Sequence, residues 1–153
     1  MSIEFINEAD YHVDGLDPKE FIDLARFVLE SLHVHRQAEL CILLVDSTTM
    51  ADLHAKWMDL EGPTDVMSFP MDGLRPGTSE QESSPGMLGD VVVCPEVAAA
   101  QAQSAGHSTV EEMLLLVTHG ILHLLGFDHS EPDEEREMFA LQRRLLLTFL
   151  AGR

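Results

Sequence analysis

The chain is short of cations: nine Lys plus Arg stand against 27 Asp plus Glu, a formal net charge of −18 at pH 7. That balance excludes a generally basic surface, and with it nucleic-acid binding by bulk phosphate neutralisation. Cysteine is scarce too. The two present, Cys41 and Cys94, lie in apolar runs, which reads as buried free thiols in a reducing compartment and not as a disulfide framework. Long apolar stretches are missing. The longest, Met113 to Phe127, is interrupted by two histidines and falls short of the ~18 residues that suggest a membrane span. No charged-then-apolar leader is visible at the N-terminus, so the expected location is the cytoplasm, away from membranes. Internal repeats are absent, and low-complexity sequence is confined to Asp72–Pro85 (DGLRPGTSEQESSP). A mobile surface loop is therefore expected over residues 72–86.

What remains is an ordinary globular composition, 45% apolar over 153 residues, enough for one domain covering 1–153 with a proper core. Strand signals fall on Ser2–Asn7, Glu39–Val45, Thr64–Phe69 and Gly89–Cys94. Helix signals lie between and after them. Asp17 followed by Pro18 starts the first helix, and Ser47 or Thr48 caps a second that runs to about Trp57, with Met50, Leu53 and Trp57 on one face. Pro95 to Gly106 is alanine-rich and stopped by glycine. Ser108 with Glu111 offers a capping box, and Ser130 starts the last helix. The expected fold is α+β: a small mixed sheet of about four strands packed with helices, one of them central.

That central helix carries the chemistry. Residues 119–129 read HGILHLLGFDH. His119 and His123 are four apart, so they project from one helix face. Gly126 can end the helix in a left-handed turn and let the chain fold back, bringing His129 to the same point. Three imidazoles on one point describe a catalytic-type metal site with an open position for water. Zinc (Zn2+) suits neutral imidazoles best, though other divalent ions accept them. The spacing equals that of the metzincin zinc signature, except that Gly120 stands where the protease keeps its glutamate base.

The same run, H-G-x-L-H-L-x-G-x-D-H, resembles the signature of the YbeY family, bacterial metal-dependent endoribonucleases of ribosomal RNA maturation. Pro63–Pro70 (PTDVMSFP) and Leu88–Val92 (LGDVV) resemble two further blocks of that family, in its order. The resemblance spans most of the chain. It implies a single-strand-specific endoribonuclease acting on the 3′ end of small-subunit ribosomal RNA and in ribosome quality control, with the ribosome or ribosomal proteins as partners. Thr64, Asp65 and Ser68 become candidate substrate contacts. Asp128, beside the third histidine, becomes a candidate catalytic residue, as an acceptor for a ligand N–H or a proton shuttle, the competing role being a cap of its own turn. One departure stands out: where the family usually carries a phosphate-contacting arginine, this chain has Met58. Lys56 is the nearest candidate substitute and Arg75 a second, although lysine lacks arginine's bidentate grip. With so acidic a chain, either the metal and a local patch suffice for RNA, or a partner delivers the substrate. His12, His33, His35, His54 and His107 lie outside any ligand spacing and read as surface or satisfied histidines. Two other activities fit the histidines: a zinc hydrolase of peptides or esters, and a non-catalytic assembly factor with a structural metal.

Overall fold

The structure, a computed structural model, describes residues 1–153. Four strands, β1 (Ser2–Asn7), β2 (Glu39–Leu44), β3 (Val66–Pro70) and β4 (Met87–Val93), form one sheet in the order β1-β2-β4-β3. β1 and β4 run parallel to β2, and β3 is antiparallel to β4. The sheet is mixed and four-stranded, as the pattern of strand signals led us to expect. Five helices accompany it: α1 (Pro18–Ser31), α2 (Ser47–Met58), α3 (Pro95–Ala105), α4 (Thr109–Leu124) and α5 (Pro132–Gly152).

Alternation along the strands divides the core. Leu40, Ile42 and Leu44 of β2, with Leu88, Val91 and Val93 of β4, join α1, α4 and α5 in the main cluster of 27 buried residues. The opposite face makes a small cluster in which Met50 of α2 packs with Val45, Met67, Val92 and Cys94. α4 is apolar almost all round because it is enclosed: Met113, Leu114, Val117, Ile121 and Leu122 are wholly buried, as expected for a helix at the centre of a core. Its capping box forms as read, with the Ser108 hydroxyl accepting from the Glu111 amide and the Glu111 carboxylate accepting from the Ser108 amide.

Some boundaries differ from expectation, each for a local reason. Asp46, not Ser47 or Thr48, occupies the N-cap position of α2, while its carboxylate accepts from the Asp10 amide at 2.8 Å. β3 begins only at Val66, whose amide is taken by the Asp65 side chain at 2.7 Å. α5 starts at Pro132 behind Glu131, because the Ser130 hydroxyl donates to Asp128 instead of capping the helix. In the β3–β4 connection, Leu74 is buried. Two amides fasten this segment to the end of α1, Gly77 donating to the Leu32 carbonyl and Ser83 to that of His33. No helix is long and apolar enough to cross a membrane.

Candidate metal centre

α4 closes in a turn that places the third histidine. Gly126 adopts φ 96°, a left-handed value that disfavours other residues. Its amide donates to the His123 carbonyl and the Phe127 amide to the Leu122 carbonyl, each at 3.0 Å, the paired bonds of a Schellman ending. The chain reverses, and a ring nitrogen of His129 comes within 4.8 Å of those of His119 and His123. The Nε2 atoms of His119 and His123 lie 3.1 Å apart, as two lone pairs aimed at one cation would.

α5 supplies what holds the rings, and sequence reading missed it. The His119 Nδ1–H donates to Gln142 Oε1 at 2.7 Å. Gln142 is itself buried, so this bond fixes the tautomer and leaves Nε2 free as a ligand. Three residues earlier on α5, Phe139 stacks on His119 (5.8 Å, 14°) and on His129 (6.0 Å, 22°). A signal for Gln142 did exist: it is a polar residue four after Met138 and three before Leu145, both in the buried stripe.

Protonation agrees with ligation. Burial lowers the His119 pKa below its ordinary 6.5, aided by His129 and opposed by the Gln142 bond. Burial also lowers that of His123, with His119 and His129 adding to the effect. Both rings are therefore neutral near pH 7 and can offer lone pairs, so the donor set fits a divalent cation of the zinc type. The folded pKa values lie below the unfolded one, so the unfolded chain takes up protons first as pH falls. The metal-free protein will accordingly lose stability below about pH 6.5, read as a falling melting temperature between pH 7 and 5. A flat profile would contradict the burial argument.

The three histidines line an open cleft of about 720 Å³ together with His54, Trp57, Met58, Asp128 and the whole stretch Thr64–Pro70. Thr64, Asp65 and Ser68 thus share one wall with the metal centre, but their side chains are engaged within the protein. Thr64 donates to Asp65, Asp65 accepts from Gln101 of α3, and the Ser68 hydroxyl donates to the Gly120 carbonyl at 2.9 Å. Asp128 is at the cleft with both oxygens in its own turn, accepting from the His129 amide and the Ser130 hydroxyl. Those bonds, the amide first, hold its pKa below the usual value.

Neither candidate cation lines the cleft. The Lys56 ammonium lies 5.2 Å from the Trp57 ring centroid. Arg75 folds over Gly126, where a Cβ would come within 2.6 Å of its Nε, and donates to the Gly73 and Leu74 carbonyls. Met58 does line the cleft. Of the remaining histidines, His107 is satisfied by the buried Glu112 at 2.6 Å. His54, expected to be one of the surface or satisfied set, borders the cleft and donates from Nδ1 to the Gly62 carbonyl.

If Gln142 orients His119, then Gln142→Leu should weaken metal affinity by about 10- to 100-fold, the usual cost of losing such a partner. Gln142→Glu should retain it, since a carboxylate accepts the same bond. Equal affinities for wild type and Gln142→Leu, by competition with a chelating dye, would remove Gln142 from the site.

Comparison with known proteins agrees with this geometry. The family profile described as Endoribonuclease YbeY matches residues 6–150. A protein of Beutenbergia cavernae named Endoribonuclease YbeY is 69% identical over 153 residues, covering 100% of both chains. One of the same name from Mycolicibacterium smegmatis is 60% identical over 99% of this chain and 84% of its own. A solution structure of a Thermotoga maritima protein superposes with a TM-score of 0.64, covering 98% of this chain and 90% of that one at 24% identity, which speaks for the fold. With a profile match across nearly its whole length and relatives this similar, the chain belongs to the Endoribonuclease YbeY family.

Proposed function

We propose that this protein is a metal-dependent endoribonuclease that cuts single-stranded RNA. It uses zinc at His119, His123 and His129 and acts in maturation of the small-subunit ribosomal RNA 3′ end and in ribosome quality control. The observation that carries the reading is the convergence of three imidazoles, one held in its tautomer by Gln142, on the side of a cleft open to solvent. When bound, a divalent cation supplies a Lewis acid that brings the pKa of a water to about 7 and draws charge from a phosphate oxygen.

The chain's own groups supply position. His119 and His123 present lone pairs from adjacent turns of a rigid buried helix. Asp128 binds the His129 amide and so holds the third ligand's turn; with a depressed pKa it is a weak proton acceptor, and its part is to place His129. The Thr64–Ser68 wall gives the strand a surface to lie along. The formal net charge of −18 supports docking on basic ribosomal proteins, which would bring the RNA to the cleft. The free thiols Cys41 and Cys94 support a reducing, cytoplasmic setting.

The rival activities meet specific obstacles. A structural zinc site is closed by a fourth protein ligand, whereas the group here contains three residues. A peptidase of the metzincin kind needs a glutamate at position 120, which faces the sheet. The test is cleavage of a short single-stranded RNA before chelation, after chelation, and after zinc is returned. Loss and recovery of cutting is the expected outcome; cutting that survives complete metal removal would sink the proposal.

A further inference from the structure

We propose that the cleft rim built by Trp57, Met58 and Phe69 is a stacking subsite for an unpaired nucleobase of the strand being cut; this deepens the nuclease reading and rests on it. The apolar stripe of α2 starts inside the protein and ends outside it. Met50 is wholly buried and Leu53 half-buried, but Trp57 is 58% exposed and Met58 59% exposed. An exposed tryptophan is unusual for so large an apolar ring, and this is the only tryptophan in the chain. It is also held in place. Its ring meets Phe69 edge-on (6.0 Å, 75°), and the Lys56 ammonium sits 5.2 Å from its centroid.

Charge decides what this rim can bind. Trp57, Met58 and Phe69 line the same cleft as the three histidines, and no Lys or Arg lines it; its acids are Asp65 and Asp128. Phosphate clamping by protein cations is therefore not available within the cleft. Nucleobase faces are uncharged, and stacking on an aromatic ring binds them whatever the sequence. In a duplex those faces are covered by neighbouring bases, so a stacking subsite selects single strands. Met58, in place of an arginine, extends this subsite with a polarizable apolar side chain. Lys56 then braces the indole instead of gripping phosphate.

The single tryptophan makes the proposal directly readable. Metal-loaded protein is mixed in a stopped-flow instrument with a short single-stranded RNA, its duplex form, and an abasic strand of equal length. The single strand should quench the emission before cutting, and the other two should not. In steady-state cleavage, Trp57→Ala should raise KM by about fivefold to a hundredfold, the range for loss of one stacked base. That rise should be several times larger than any fall in kcat, with metal content unchanged, and Trp57→Phe should recover most of it. If wild type cuts RNA but shows no quench, and Trp57→Ala keeps the wild-type KM, the subsite is wrong and the nuclease reading stands. If wild type quenches with single strands alone yet cuts nothing, the subsite stands and the nuclease reading falls. Neither quench nor cutting would overturn both.

Discussion

His123→Ala will lose at least about a thousandfold in RNA cleavage, ~4 kcal/mol of barrier, and will no longer hold its metal. His123 is the middle of the three proposed ligands: its ring centroid is 4.6 Å from that of His119 and 5.1 Å from that of His129. Removing it leaves two imidazoles on different elements, one on α4 and one beyond the turn. Two ligands do not define an open tetrahedral position. The fold should persist, because His123 is only half-buried and the helix around it is set by Leu122, Leu124 and Ile121, all buried. The measurement pairs cleavage with metal analysis and thermal denaturation on identically prepared proteins. Asp128→Asn is the instructive companion. Its amide oxygen can keep the bond from the His129 amide, and its NH2 can donate to the Ser130 hydroxyl in place of accepting from it, so its loss should be far smaller. Equal cutting by wild type and His123→Ala would point to a contaminating ribonuclease, and an active His123→Ala that still binds metal would overturn the ligand assignment.

Gly120→Glu, which completes the metzincin motif, will destabilise the protein and create no peptidase. A Cβ at position 120 would lie 2.7 Å from Val91 Cγ1 and 3.2 Å from the Ser68 hydroxyl. Val91 is wholly buried on the central strand β4, and its branched side chain has little rotameric freedom to retreat. Even Gly120→Ala therefore overpacks the contact between α4 and the sheet, at about 1–3 kcal/mol. Glutamate adds four more heavy atoms and a charge with no partner in that layer, taking the loss to about 4 kcal/mol or more. The same shift would disturb the Ser68 bond to the Gly120 carbonyl, which links β3 to α4 beside the ligands. Melting temperature reads both variants. A Gly120→Glu protein as stable as wild type would show that α4 can stand off from the sheet.

Much of this was visible in the chain itself, wherever the physics is local or periodic. The strand alternation, the capping box at Ser108, the four-residue step from His119 to His123 and the left-handed requirement at Gly126 depend on neighbours within a turn or two. They therefore appear in the sequence as spacing. The acidic balance is compositional and equally legible. Other features belong to contacts between residues far apart in the chain, which no spacing encodes. Gln142 reaches His119 only because α5 packs across α4. Trp57 reads as a core residue on the α2 stripe, and only the tertiary structure shows it exposed at the cleft. Lys56 is two residues from Met58, but the helical turn carries it out of the cleft and over the indole. Gly120 is the clearest case: the letter alone denies a catalytic base, whereas the packing of α4 on the sheet shows why a side chain is disfavoured there, because the Val91 and Ser68 side chains already occupy the space that a Cβ would need.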